Sequence, residues 1–374
     1  MRMLIAGGGT GGHLFPGIAL AEEFSTRHPS NAVLFVGTRR GLESRVVPAS
    51  GFALETVSAR GLKGKGPWQF LLGLLALPWS FLESWRILSR FRPDVVVGVG
   101  GYASGPVVLT AWFRRIPTAV QEQNALPGLT NRILGHFVRV VFVAFDEARA
   151  GFPASKTHVV GNPVRRKLLD NYLRSRTAHD RFEVLVFGGS LGARGLNARV
   201  VEALPLLGEL REAVDFVHQT GPADLERVRA SYAANGIRAE VVEFIEDMSA
   251  AYARASLVVC RAGATTVAEL AVCKKASVLV PFPLATDDHQ AANARALVDA
   301  GAAVMFRESE LTGEKLAGTI RELQADPARL QRMERSAGRL GRPEAARELA
   351  DICVELVDGT GGPGARRPSE AAGR

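Results

Sequence analysis

Residues 2–13, Arg-Met-Leu-Ile-Ala-Gly-Gly-Gly-Thr-Gly-Gly-His, run from a short apolar strand into five glycines and a threonine that end on a histidine. The pattern predicts a strand, a tight connection and a helix opening near Pro16. Glycine lets the backbone approach a ligand closely. The first N–H groups of the following helix, with roughly half a positive charge, point at any anion placed there. The turn can therefore hold a phosphate, although any tight strand-to-helix connection can use the same residues. His13 stands at its rim, and an imidazole of ordinary pKa, about 6.5, is the side chain best able to take a proton near neutral pH.

Outward from this turn the chain alternates apolar β-branched runs with helical stretches. The runs fall at residues 33–36, 95–99, 118–121 and 140–143, then at 184–187, 214–218, 241–244, 257–260 and 277–280. That alternation predicts an α/β protein of parallel sheets with crossover helices. In each half the first clear strand ends in a glycine loop, at residues 7–12 and again at Gly188-Gly189-Ser190-Leu191-Gly192-Ala193-Arg194. A later strand in each half ends in another, Gly98-Val99-Gly100-Gly101-Tyr102 and Arg261-Ala262-Gly263-Ala264-Thr265-Thr266. Ligands of open α/β sheets bind at the carboxyl ends of strands. Two Rossmann-like domains facing across a cleft lined by four glycine loops are expected, with the reaction between them. The domains are expected at 1–162 and 163–342, with a helix at about 343–357 returning to the first and a disordered tail at 358–374.

A chain of 374 residues suits two domains rather than one core. Its 46 basic against 38 acidic side chains give +8, which favours anionic partners, whether nucleic acid, phosphorylated sugars or acidic lipid surfaces. Three cysteines without metal-ligand spacing argue against a disulfide framework and fit a reducing cytoplasm. No export signal is recognised at the start.

Several phosphate-ligand classes fit poorly. An NAD-binding domain places an acid at the end of its second strand. Here that strand runs into Gly37-Thr38-Arg39-Arg40, which disfavours NAD and leaves NADP open. There is no Walker lysine and no Asp-x-Asp metal clamp after a strand. In the second half, residues 261–269 follow a strand and open a helix, so the loop can cradle a phosphate while Glu269 grips ribose hydroxyls; a structural helix-end glutamate is the alternative. The polar group Asp287-Asp288-His289-Gln290 follows the next strand and suits sugar hydroxyls, or simply caps a helix.

Taken in order, these motifs resemble one family of bacterial glycosyltransferases, the MurG family. Its members add N-acetylglucosamine from its UDP derivative to the undecaprenyl-linked muramyl-pentapeptide called lipid I, in peptidoglycan synthesis. The resemblance runs from Gly7 to about Val357. It rests on Gly-Gly-Thr-Gly-Gly-His-Leu-Phe-Pro at 8–16, Gly100-Gly101-Tyr102-Ala103-Ser104-Gly105-Pro106, Glu122-Gln123-Asn124, Gly161-Asn162-Pro163-Val164-Arg165, the two loops of the second half, and Asp288-His289-Gln290. It implies a GT-B fold and an inverting mechanism needing no metal or cofactor.

The resemblance further implies that donor UDP lies in the C-terminal half. Ile245 would meet uracil through its backbone, with Arg165 and Ser190 near the diphosphate, Ala264, Thr265 and Thr266 along the loop, Glu269 on the ribose and Gln290 on the sugar. Thr10, Gly11, Gly12 and Asn124 are expected to close on the same ligand from the N-terminal half. Gly100, Gly101, Tyr102 and Glu122 are expected around the acceptor. Members often carry histidine before Glu-Gln-Asn; this chain has Gln121, which leaves His13 as the expected base. His13 could instead orient the acceptor diphosphate by donating a hydrogen bond.

Inverting transfer needs a base on the acceptor hydroxyl, charge stabilisation on the departing diphosphate and in-line geometry. Backbone N–H groups, a helix N-terminus and arginine would meet that charge, here from the loop at 261–269 with Arg165.

Trp68-Gln-Phe-Leu-Leu-Gly-Leu-Leu-Ala-Leu-Pro-Trp-Ser-Phe-Leu82 is too short as a helix, about 22 Å, for a bilayer core of roughly 30 Å. Flanked by Lys63, Lys65, Arg86, Arg90 and Arg92, it suits peripheral attachment to an anionic membrane surface, and a buried kinked helix is the alternative. The expected location is the cytoplasmic face of the inner membrane, with no nucleic-acid partner and any protein partner left open. Rival readings are a GT-B transferase with another lipid acceptor such as diacylglycerol, a UDP-N-acetylglucosamine 2-epimerase, and a non-catalytic nucleotide-sugar sensor.

Overall fold

The structure, a computed structural model, describes residues 1–39, 41–59, 67–175, 181–189 and 192–359, with backbone alone at 67–76 and 175. Ser190, Arg40, Lys63, Lys65 and nearly all of the expected tail lie outside the described residues, as do residues 176–180.

The chain forms two compact units, one of Met1–Arg165 joined by the chain from Glu344 onward, the other of Arg166–Pro343. Unit 1 contains β1 (Arg2–Gly7), α1 (Gly11–Thr26), β2 (Ala32–Gly37), α2 (Glu43–Ala49), β3 (Ala53–Thr56), α3 (Pro67–Phe91), β4 (Val95–Gly100), α4 (Ser104–Phe113), β5 (Thr118–Glu122), α5 (Leu129–Phe137), β6 (Val140–Val143) and β7 (Thr157–Val159). Unit 2 contains α6 (Arg166–Ser175), β8 (Phe182–Phe187), α7 (Arg194–Ala203), β9 (Val214–Gln219), α8 (Leu225–Ala234), β10 (Ala239–Val242), α9 (Met248–Arg254), β11 (Leu257–Cys260), α10 (Ala264–Val272), β12 (Ser277–Leu279), α11 (His289–Asp299), β13 (Ala303–Met305), α12 (Gly313–Ala325) and α13 (Pro327–Leu340). The last helix, α14 (Ala345–Asp358), belongs to unit 1.

The sheets have the order β3-β2-β1-β4-β5-β6-β7 and β10-β9-β8-β11-β12-β13, with parallel pairing. Strands such as β4, Val-Val-Val-Gly-Val-Gly, are buried throughout because helices cover both faces. In both units the winding reverses at the first strand, so the loops after β1 and β4, and after β8 and β11, diverge at a topological switch point. All four glycine loops lie there.

Several boundaries differ from expectation. α1 opens at Gly11, five residues before Pro16, which places Gly11, Gly12 and His13 in its first turn. Pro16 removes a single backbone donor, and the burial of Leu14, Ile18 and Phe24 holds the helix through it. The strand expected at 241–244 is Ala239–Val242, and the short strands β3 and β13 carried no recognisable pattern. α3 continues through Pro78 to Phe91. Among the described residues no helix is long and apolar enough to cross a membrane.

Leu349, Ala350, Cys353 and Leu356 make one stripe of α14, buried with Ile18, Ala21 and Phe24 of α1 and Met3 and Ile5 of β1. Arg27 adds a 2.7 Å ion pair to Asp351 and a 2.8 Å bond to the Arg347 carbonyl. Leu349 is fully buried, so Leu349→Ala should destabilise unit 1 by about 3 kcal/mol. Urea unfolding followed by tryptophan fluorescence measures this, since all four tryptophans precede residue 113; a midpoint unchanged from wild type would show that α14 contributes nothing to that unit's stability.

Candidate active site

In unit 1 the turn after β1 is laced to the turn after β4. Gly8 N–H donates to the Gly100 carbonyl at 3.3 Å. Ser104 Oγ accepts from Gly100 N–H at 3.0 Å and donates to the Ala6 carbonyl at 2.6 Å. Gly100 has φ +94°, and a Cβ there would stand 2.7 Å from His13 Cδ2 and 3.0 Å from Nε2, so the imidazole occupies space only glycine leaves. Thr10 Oγ1 lies 3.0 Å from His13 Nδ1. Thr10 is the N-cap residue of α1 but makes no side-chain cap bond, so the helix's first N–H groups have no such acceptor. The structure thus gathers Thr10, Gly11, Gly12, His13, Gly100 and Gly101. Tyr102 stands beside them, half exposed. Arg165 stacks over Phe15 of α1, its guanidinium carbon 5.1 Å from the ring centroid.

The same turn carries a carboxylate that the sequence did not single out there. Glu43, buried at the start of α2, accepts from Gly9 N–H, Thr38 N–H and Thr38 Oγ1, each at 2.8 Å. Burial raises its pKa, and the N–H bonds from Gly9 and Thr38 outweigh that and leave it below the usual carboxylate value. Glu43 thus joins the β1 turn to the end of β2.

Glu122 and Asn124 are bonded to each other. Glu122 Oε1 accepts from Asn124 N–H at 3.0 Å and from Nδ2 at 3.2 Å, and Oε2 accepts from Gly128 N–H at 3.1 Å and Asn131 Nδ2 at 2.9 Å. Glu122 is buried, so its carboxylate shapes the loop that displays Asn124. Gln121 is also buried. It donates to Asn162 Oδ1 at 3.0 Å and receives Gln123 Nε2, an amide network with no basic nitrogen.

In unit 2, α10 begins behind Gly263 with no side-chain cap, so the N–H groups at Ala264, Thr265 and Thr266 form an open helix N-terminus suited to phosphate. Thr265 Oγ1 is buried without a hydrogen-bond partner. Glu269 lies one turn further on, and the fully buried Tyr252 donates its phenol to Glu269 Oε2 at 3.0 Å. Burial first, and the Glu269 charge second, raise the Tyr252 pKa, so the phenol stays a donor. Ile245 N–H donates to Gln219 Oε1 at 2.9 Å, while Gln219 Nε2 donates to the Gly189 carbonyl at 3.0 Å. Gln290 Oε1 accepts from Phe282 N–H at 2.9 Å.

The Arg261 guanidinium is not presented to a ligand; it donates to the carbonyls of Val280 at 3.1 Å and Pro281 at 3.3 Å and pairs with Glu308. It braces the loop after β12, because β11 and β12 are neighbours and the arginine emerges at their shared edge. Among the described residues no three His, Cys, Asp or Glu side chains gather as a metal-ligand set. Sequence reading missed Glu43, Tyr252, Gln219 and Glu308, each distant in sequence from the loop it supports. For Glu43 a cue existed in the glycines at 8, 37 and 41 that surround it.

Residues 3–143 match the glycosyltransferase family 28 N-terminal domain and residues 183–349 its C-terminal domain. The chain is 70% identical over 373 residues, 99% of its length and 97% of the relative's, to the UDP-N-acetylglucosamine--N-acetylmuramyl-(pentapeptide) pyrophosphoryl-undecaprenol N-acetylglucosamine transferase of Myxococcus xanthus (strain DK1622). The crystal structure of Acinetobacter baumannii MurG superposes with TM-score 0.78 at 33% identity, covering 95% of this chain and 99% of that one. A UDP-GlcNAc 2-epimerase from Neisseria meningitidis reaches TM-score 0.67 at 13% identity, covering 96% and 100%, a likeness of fold alone. The chain belongs to glycosyltransferase family 28 and, within it, to the MurG family.

Proposed function

We propose that this protein transfers N-acetylglucosamine from UDP-N-acetylglucosamine to the 4-hydroxyl of the muramyl sugar of lipid I, with inversion, forming a β-1,4 link and releasing UDP. The observation that carries the reading is 70% identity, over 99% of the chain, to a protein named as the N-acetylglucosamine transferase acting on N-acetylmuramyl-(pentapeptide) pyrophosphoryl-undecaprenol. The geometry supports it. The α10 N-terminus, with Thr266 in its first turn, offers N–H groups to the departing diphosphate, and the likeness to the family adds Arg165 and Ser190 to that set. Glu269, held by Tyr252, accepts the ribose hydroxyls. Since Ile245 N–H bonds to Gln219, its carbonyl is the group for the uracil N3–H. Gln290 Oε1 is engaged with Phe282, which leaves its amide hydrogens for the sugar.

As base, His13, whose Nδ1 lies 3.0 Å from Thr10 Oγ1, takes the acceptor proton on its imidazole. Gly11, Gly12, Gly100 and Gly101 face the acceptor diphosphate, beside Tyr102. Asn124, displayed by Glu122, meets the ligand in the same unit.

The protein is proposed to work on the cytoplasmic face of an anionic membrane. Trp79, Leu82 and Trp85 of α3 and Trp112 and Phe113 of α4 are exposed, and Arg114 lies 4.9 Å over the Trp85 ring. Aromatic side chains beside arginines suit an interface of apolar tails and acidic headgroups.

Purified protein incubated with labelled donor, lipid I and a metal chelator should yield a disaccharide lipid. UDP release without lipid I would point to epimerisation instead. His13→Ala should lower kcat by roughly two to four decades and leave UDP affinity nearly intact; wild-type turnover would remove His13 from the mechanism. Glu269→Ala should raise the donor KM at least about tenfold, and an unchanged KM would refute the ribose role. Trp85→Asp should weaken co-sedimentation with anionic vesicles; equal pelleting with neutral vesicles at every salt concentration would overturn the electrostatic part.

A further inference from the structure

We infer that Glu43 is a positioning residue for the proposed transfer: from the start of α2 its carboxylate ties Gly9 to Thr38 and so fixes the turn that carries Thr10 and His13. The inference rests on the reading of His13 as base.

Glu43 is 1% exposed, and two of its three donors are backbone N–H groups, one in each of two turns far apart in sequence. Gly9 has φ +90° and is the residue just before Thr10, so its bond to Glu43 fixes where the Thr10–His13 pair begins. The surroundings are cut to admit this side chain. A Cβ on Gly8 would meet both carboxylate oxygens, at 2.6 and 2.7 Å, and one on Gly37 would stand 3.0 Å from Oε1. A Cβ on Gly41 would also collide with it. A carboxylate is the only side-chain group of this size that accepts at both oxygens. The turn thus carries a built-in anion at Gly9, and a ligand's phosphate is left the α1 N-terminus at Gly11 and Gly12.

Glutamine tests this without changing volume. Its amide nitrogen must face either the Gly9 or the Thr38 N–H, so one donor loses its acceptor wherever the amide turns. In full-length Glu43→Gln, hydrogen exchange followed by mass spectrometry should show peptides spanning residues 5–13 exchanging about tenfold faster, with unit 2 unchanged. kcat should fall about 10- to 100-fold while the KM for UDP-N-acetylglucosamine stays within about twofold, a split that general loss of structure does not give. Thr38→Val, which removes the hydroxyl alone, keeps the proposal falsifiable should the glutamine variant fold poorly; it should cost about two- to fivefold in kcat. Unchanged exchange at residues 5–13, a kcat within twofold of wild type, or a donor KM rising in step with the fall in kcat would each overturn the inference. Were the wild-type protein to transfer no sugar to lipid I, the functional reading would fall, and the exchange measurement alone would decide Glu43.

Discussion

Backbone N–H groups left without partners where parallel strands give way to helices are the constraint on which this structure depends. At a switch point two neighbouring loops diverge, and the helices that follow them begin with N–H groups that no preceding turn can satisfy. The protein makes such a point twice, at β1 with β4 and at β8 with β11. At α1 and α10 the N-cap residue, Thr10 or Gly263, makes no side-chain cap bond. By contrast α9 is capped by Asp247 and α12 by Thr312, away from those points. Other helices, such as α5 and α8, also begin without a side-chain cap, but α1 and α10 do so at a switch point, where a second glycine loop diverges beside them.

Carboxylates then decide the shape of the open turns. Glu43 gathers the β1 turn, Glu122 gathers the loop after β5, and Glu308 holds Arg261 below the loop after β12. Glu43 and Glu308 come from a different stretch of chain than the loop each shapes, Glu122 from the strand directly before it, and all three accept from N–H donors, which makes burial of the charge tolerable. Glu269 differs in kind: it is half-buried and accepts from the neutral phenol of Tyr252. The same contrast separates the arginines, since Arg261 is held by carbonyls and a carboxylate while Arg165 stacks on the Phe15 ring.

The likeness to the epimerase structure, at 13% identity, shows how little of this architecture is tied to one reaction. The sheet order and the glycine turns belong to the fold rather than to one reaction. What distinguishes this chain is the set of side chains around them, which is where its 70% identity to a transferase carries weight.

The sequence by itself determined the parallel α/β plan, the positions of the glycine turns and the residue types that line them. Runs such as Val-Val-Val-Gly-Val-Gly at β4 are readable because a strand covered on both faces must be apolar along its whole length. Short strands such as β3 and β13 were not readable, since their placement comes from pairing with β2 and β12 rather than from their own pattern. The start of α1 was misplaced because Pro16 reads locally as a helix start, whereas burial of its apolar face carries the helix back to Gly11. Only the tertiary structure decided that Glu43 fills the first turn, that Tyr252 holds Glu269, and that Arg261 and Gln121 point inward. Hydrogen-bond partners are chosen by proximity in space, and neighbouring parallel strands are joined by crossovers long enough that no local window of sequence contains both partners.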